Sequence, residues 1–290
     1  MTQLISPHKF TKTADRLRSF FLNKGFEEVH TQNRLSILAA CEDPFNVATY
    51  NYAGQVWPLP QTGQMWLEHE LLTKPEVPGF FCISTSYRQE PNAIPGRHDI
   101  IFPMFEFEMP GDIHDLQQME VELCEHLGFP KLEIDMYSNW AKKFNVKELG
   151  NDEEKAIHNG MITHFPEFTS PFWNMSRNAD GITSKKIDVI LGGMETIGSA
   201  ERSTDVHQMR ETFHTITNGE YSELLFKLFS KERVEAELEK FLEFEFFPRV
   251  GGGIGITRLI SAFDSISDSY TDRWSSMYVN EFANAYSYKT

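Results

Sequence analysis

At 290 residues, 40% of them hydrophobic and 24 of them Phe, the chain is long enough to bury a full core as one large domain or two small ones. Its 27 basic against 42 acidic side chains leave a formal charge of −15, a field that repels polyanions and disfavours tight non-specific binding to nucleic acid or anionic membrane. No apolar run reaches membrane-spanning length, MTQLISPHKF lacks the apolar stretch of a signal peptide, and the widely spaced Cys41, Cys82 and Cys124 read as reduced core thiols of a cytoplasmic protein. His69-Glu70 is followed by Leu-Leu-Thr instead of a second histidine, and Cys and His do not cluster, so zinc is not expected.

In chain order, Phe10, Ala14, Leu17, Phe20 and Phe21 have the spacing of an amphipathic helix over Pro7 to Lys24, with Gly25 as its stop. A strand is predicted over Phe26 to Thr31 and a short one over Gln55 to Leu59. LPQTGQMWLEHELL then turns at Gly63 into a helix from Gln64 to Leu72, which sets Gln64 and Glu68 on one helical face with Thr62 near by. Phe80 to Arg88 alternates as a strand, Gln89 to Asp99 is a polar loop, and Ile101 to Met109 returns as a strand. Period two sends Phe102, Met104, Glu106 and Glu108 to one face of it and Ile101, Phe105, Phe107 and Met109 to the other. Asp112 to Leu127 is a helix closed by Gly128. The stretch Asn139 to Gly181 is aromatic and irregular and yields no assignment. Further on, a strand (Lys186 to Leu191), a helix (Thr204 to Thr215) and one or two acidic helices (Tyr221 to Phe244) precede the glycine-rich strand Val250 to Thr257. A helix then starts at Arg258. Repeats and Pro/Ser-rich linkers are missing, so one domain over residues 1–290 is the simplest reading.

Four places carry chemistry. On the hairpin YRQEPNAIPGRHDIIFPMFEFEM, Arg88 and Arg97 supply planar, permanently charged forks suited to phosphate oxygens, His98 could reach a terminal phosphate, and Phe102 could stack on a base. A surface hairpin solvated by Arg–Glu pairs would have the same composition. The stretch VGGGIGITRLI presents bare backbone followed by Arg258, but without the Lys-Ser/Thr of a Walker loop; tight helix packing accounts for such glycines equally well. Asp188 and Glu195 flank Gly192-Gly193 and could hold Mg²⁺, which takes few protein oxygens and keeps its waters. Arg202, after GSAE, is either a salt-bridge partner or an anchor for a polar substrate tail.

Taken in order, Arg-x-Glu, Arg-His, Phe with Glu-x-Glu, GGxE…GSxxR and GGGxGxxR resemble the catalytic core of the class II aminoacyl-tRNA synthetases, most closely the aspartyl/asparaginyl branch, from about Thr11 to Phe263. The resemblance implies an α+β fold, an antiparallel sheet flanked by helices, that binds ATP with Mg²⁺ and works as a homodimer. By that resemblance Arg88 contacts the α-phosphate, Glu90 the adenine, and Arg97 and His98 the outer phosphates. Phe102 stacks under adenine and Arg258 over it, Gly253 and Gly255 line the nucleotide, and Asp188 and Glu195 hold Mg²⁺. TGQMWLE is similar to the SGQ-x-x-LE of asparaginyl enzymes, and the lysine of the aspartyl enzymes is replaced by Leu67. Glu68 is therefore expected to read a side-chain amide with Arg202 on its carbonyl oxygen, while Thr62, Gln64 and Glu106 hold the α-amino group.

Two departures bear on function. The helix that opens the catalytic core begins within the first dozen positions, so the anticodon-binding OB-fold of the branch is not expected, and the first motif reads EVHTQ with Gln32 in place of a proline. With a charge of −15 these features point away from tRNA and toward an AMP-forming ligase that activates an asparagine- or aspartate-like amino acid or peptide residue for a non-tRNA acceptor. Amidation of aspartate with ammonia, dehydration of an amide to a nitrile, and a non-catalytic regulatory paralogue that binds amino acid or nucleotide are the alternatives.

Overall fold

A computed structural model describes residues 4–40, 43–90, 93–94, 97–169 and 172–270, with the side chains of Gln32 and of 267–270 excepted; Cys41 lies outside them. In chain order the elements are α1 (Pro7–Asn23), β1 (Glu27–Glu28), β2 (Thr49–Tyr52), β3 (Gln55–Pro58), α2 (Gln64–Thr73), β4 (Phe80–Tyr87), β5 (Ile101–Pro110), α3 (Ile113–Leu127), β6 (Glu133–Met136), α4 (Tyr137–Phe144), α5 (Asn151–Ile157), β7 (Gly160–Pro166), β8 (Thr183–Leu191), β9 (Met194–Glu201), α6 (Val206–Thr215), α7 (Glu220–Phe229), α8 (Lys231–Leu242), β10 (Arg249–Gly255) and α9 (Ile256–Tyr270). Among the described residues no helix is long and apolar enough to cross a membrane.

Eight strands form one sheet in the order β1-β4-β5-β10-β9-β8-β7-β6. The six central strands pair antiparallel, as expected of this fold class, and the outermost pair on each side, β1 with β4 and β6 with β7, is parallel. Pro103 interrupts β5 without cost to the inner ladder, because the register with β10 ends at Met104 and leaves Pro103 opposite only Thr85 of β4.

Period two divides the sheet into a dry face and a polar one. On the dry face Phe105, Phe107, Ile187, Val189, Ile197, Val250 and Ile254 pack against Leu17 and Phe21 of α1, Leu116 and Leu123 of α3 and Leu259 of α9. The opposite face is walled by α2 and by a second core in which Trp173, fully buried, sits among Phe213 of α6, Leu225 of α7 and Phe241 of α8. A third cluster, Tyr137, Trp140, Ile157, Ile162 and Phe165, fills the β6–β7 end.

Several boundaries differ from the sequence reading. The strand predicted over Phe26 to Thr31 shrinks to two paired residues and passes into a tight turn at Thr31–Asn33. The unassigned middle supplies α4, α5 and β7, and the short strands β2 and β6 were not foreseen. Ile101, placed on the face of β5 that carries Phe105 and Phe107, is exposed where those two are buried, because the sheet has thinned to two strands there.

Helix α3 shows how locally its start is specified. Asp112 accepts from the backbone N–H groups of His114 and Asp115, and Asp115 accepts in return from the N–H of Asp112, a reciprocal cap that satisfies donors the helix itself cannot. Asp112→Ala is expected to cost about 1 kcal/mol, read as a lower urea midpoint with an unchanged slope.

Candidate active site

On the polar face, the ends of β4, β5, β9 and β10 and the first turn of α9 enclose a cleft of about 150 Å³. Every residue assigned to the nucleotide lines it: Arg88, Glu90, Arg97, His98, Phe102, Gly253, Gly255 and Arg258, with Glu195 of the supposed metal pair. Their convergence follows from the antiparallel ladder. Arg88 continues β4 and donates its backbone N–H to Ile100 O (2.8 Å), which closes the loop and returns the chain into β5; Phe102 then stands with its ring 5.7 Å from the Arg88 guanidinium. Arg258 is anchored from α9 by Nη1 donating to Glu195 O (2.8 Å). Burial holds the Arg88 guanidinium below its ordinary value, and Glu195 pulls the other way.

Arg97 is held from a quarter that periodicity did not reveal. Its Nη2 donates to both carboxylate oxygens of Glu154 (2.7 and 2.8 Å), and Glu154 also accepts from the backbone N–H of Glu195. Helix α5, from the stretch that resisted assignment, thus braces the loop arginine against β9.

A second cavity of about 410 Å³ opens beside the first, and Arg88, Glu195, Gly198 and Gly253 line both. Thr62, Gln64, Glu106 and Arg202 all lie on its wall. Glu106 is fixed by four short contacts: Thr62 Oγ1 donates at 2.5 Å, Ser84 Oγ at 2.5 Å, and the Gly63 N–H at 2.7 and 2.8 Å to the two oxygens. Its charge is therefore met by the start of α2 and by β4. Phe45, Phe172, Met175 and Tyr221 form an apolar wall at the other side.

Glu68 departs from its expected place. It is fully buried and absent from the residues that line either cavity. One oxygen accepts from Gln64 Nε2 and Asn174 Nδ2, both at 2.7 Å, and the other from Arg249 Nε (2.9 Å) and Nη2 (2.6 Å). Four donors saturate a carboxylate, so Glu68 has no lone pair left for a substrate amide. It holds Gln64 in position and neutralises Arg249. The sequence offers one signal for that partner, an arginine immediately before the glycine strand, but nothing local says that it points inward.

Asp188 and Glu195 meet as expected and enclose a third group. Asp188 Oδ2 accepts from Lys186 Nζ at 2.8 Å, while its Oδ1 is buried without a hydrogen-bond partner. A Cβ on Gly198 would stand 3.0 Å from Glu195 Oε1 and 3.6 Å from Asp188 Oδ1, so both oxygens face the same bare backbone. Two hard oxygens, one unsatisfied, over a gap that no side chain fills match the donor set of a water-retaining Mg²⁺ site, with the Lys186 ammonium as a resident neighbour. Burial pushes Asp188 upward against the pull of Lys186. Glu195 also feels burial most, yet Lys186, Arg258, Arg88 and Arg97 together bring it below its ordinary value. Among the described residues no group of three or more His, Cys, Asp or Glu is arranged to hold a metal.

Two adjoining cavities that share an arginine, a carboxylate and two glycines over the antiparallel centre of the sheet have the arrangement of a class II synthetase core. Residues 8–268 match the family model of the class II tRNA synthetases (D, K and N), and the chain belongs to that family. It is similar in structure to the asparaginyl-tRNA synthetase of Pyrococcus horikoshii complexed with asparaginyl-adenylate (TM-score 0.69, 18% identity, over 88% of this chain and 64% of that one). It is also similar to the Entamoeba histolytica asparaginyl-tRNA synthetase in complex with asparaginyl-adenylate (TM-score 0.71, 15%, 88% and 62%) and to the aspartyl enzyme of the same organism (0.65, 15%, 88% and 54%). The chain thus spans less than two thirds of each of these proteins, and at such identities the likeness is one of fold. Comparison with curated proteins gives no match.

Proposed function

We propose that the protein is an AMP-forming ligase that activates the carboxylate of an asparagine- or aspartate-like substrate with ATP. The observation that carries this is the junction of the two cavities at Arg88, Glu195, Gly198 and Gly253, where a substrate carboxylate in one would meet the α-phosphate of a nucleotide in the other.

A substrate carboxylate oxygen attacks the α-phosphorus, the bond to the bridging oxygen breaks, and pyrophosphate leaves with its electron pair. No side-chain nucleophile is required. Arg88, at the junction, opposes charge on the α-phosphate in flight, and Arg258 and Arg97 with His98 flank the departing pyrophosphate. Phe102 offers the base a flat apolar surface and Glu90 an acceptor for the adenine amine. Thr62, Gln64 and Glu106 form the anionic corner for the α-ammonium. Asp188 and Glu195 are the residues that would hold Mg²⁺, which adds charge neutralisation at the phosphates when bound.

The acceptor is read as something other than tRNA, supported by the charge of −15. A cavity of about 410 Å³ falls in the range of drug-sized ligand sites, and its apolar wall leaves space beside a single amino acid for a peptide or an amine. ATP–pyrophosphate exchange with aspartate, asparagine and short peptides ending in either, with product masses followed, tests the reading. Label is expected to enter ATP with at least one of them, and its failure to do so with all of them would remove the enzyme assignment.

A further inference from the structure

Glu154 stands behind the nucleotide cleft, outside the residues that line it, and touches two that do. It belongs to α5, the short acidic helix that no sequence motif marked. Both of its oxygens accept from Nη2 of Arg97, and one of them also accepts from the backbone N–H of Glu195 (2.9 Å). The two side chains are 13% and 15% exposed, so this is a charge-assisted contact largely out of water. Both oxygens fall on a single nitrogen of the guanidinium. Among the described residues Nε and Nη1 of Arg97 make no hydrogen bond, and they are the donors left for a ligand in the cleft.

The turn between β8 and β9 docks the helix. Gly192 donates its N–H to Asn159 Oδ1 (3.2 Å) and Gly193 donates to His158 O (2.8 Å), just past the end of α5. Gly193 has a φ of +81°, and a Cβ on it would stand 3.1 Å from Cα of Lys155, the residue after Glu154. The glycine pair between Asp188 and Glu195 therefore does more than turn the chain. It lets α5 come close enough for Glu154 to bridge Arg97 and the start of β9.

We infer that Glu154 is a positioning residue for the outer phosphates of the nucleotide: it presets the Arg97 guanidinium, so that Nε and Nη1 meet phosphate oxygens without the ordering penalty of a loose loop arginine. The inference rests on the reading above that puts Arg97 beside the departing pyrophosphate. A carboxylate near phosphates also repels them, so two effects of opposite sign compete. Glu154 lies outside the cleft lining with its charge met by the guanidinium, and placement therefore outweighs repulsion.

Calorimetric binding of a non-hydrolysable ATP analogue and of AMP to the whole chain tests this. Glu154→Ala is expected to weaken the triphosphate by about fivefold or more, and AMP, which lacks the outer phosphates, by less than about twofold. In an Arg97→Ala background the same change should have no further effect, since Glu154 acts through Arg97. Glu154→Gln keeps one acceptor oxygen for Nη2 and is expected to fall between wild type and Glu154→Ala. Where Glu154→Ala does not fold, Glu154→Gln must itself weaken the triphosphate and spare AMP. A smaller loss or a gain in triphosphate affinity, an equal loss for AMP, or a loss that persists without Arg97 overturns the inference and leaves adenylation standing. Wild type that binds neither nucleotide overturns both. Because binding is read without turnover, a wild type that fails only in ATP–pyrophosphate exchange removes the adenylation reading while the binding cycle still decides the role of Glu154.

Discussion

Arg249→Ala is expected to lower stability by about 3–5 kcal/mol, the cost of leaving one partner of a buried ion pair uncompensated. Arg249 is fully buried, as is Glu68, and three hydrogen-bonding nitrogens tie it down: Nε and Nη2 to Glu68, Nη1 to Ser203 O at 3.1 Å. Its guanidinium also lies 4.8 Å over the Phe246 ring, so packing is lost along with charge. A more exposed pair, such as Lys9 with Asp264, would contribute little on removal.

The pH dependence carries the same signature. Burial works hardest on Glu68 and would raise its pKa, but Arg249 and then Arg202 more than offset it, and the folded value lies below the ordinary one. A carboxylate depressed in the folded state contributes stability that is present above its unfolded pKa and is lost as pH falls through the folded one. In Arg249→Ala the chief offset is gone, so Glu68 is expected to rise. The gap between variant and wild type should then narrow in acid, where a protonated Glu68 no longer needs a cation. Urea melts at neutral and acid pH measure this, and a gap that widens in acid would refute the account. Combining Glu68→Gln with Arg249→Met should recover much of the loss, because both buried charges leave together.

Arg88→Ala is expected to reduce ATP–pyrophosphate exchange by about a hundred- to a thousandfold, the range for removing one preorganised group that opposes developing charge. The residue stands where the two cavities join, and Phe102 steers its guanidinium from one side. Arg88→Lys should restore little, since an ammonium cannot present the planar fork. Because Arg88 sits at the cleft and not in either main core, the melting temperature is expected to move by a few degrees only. Activity that survives in Arg88→Ala would sink the adenylation reading; a collapsed melt would mean that the residue is structural.

Much of the site was legible because its residues are close to one another in sequence or on one strand. The face shared by Phe102, Glu106 and Glu108 follows from period two, and Arg88, Arg97 and His98 are placed by the hairpin that joins β4 to β5. Glu68 misled for the same reason that it was noticed: one turn after Gln64 it shares a helical face, and the side chains do meet at 2.7 Å, but that face also meets Arg249, 181 positions away. Glu154 was invisible because α5 is short and acidic, a solvated helix by composition, and only the fold brings it against Arg97.

By itself the sequence determined what short-range physics controls: the amphipathic turns of α1 and α3, the alternation of β4 and β5, the glycine strand, and the order of arginines and carboxylates that marks the family. What only the tertiary structure decided is which donors each buried carboxylate meets. Glu68, Glu106 and Glu108 are alike in composition and neighbourhood, and buried carboxylates differ only by the donors that reach them. Those donors come from α2 and the turn before it, from β4 and β10, from Asn174 and from Arg202 just past β9, most of them across separations that no local pattern encodes. Glu68 is saturated by four N–H groups, Glu106 is met by Thr62, Gly63 and Ser84 on the cavity wall, and Glu108 keeps one buried oxygen without a hydrogen-bond partner.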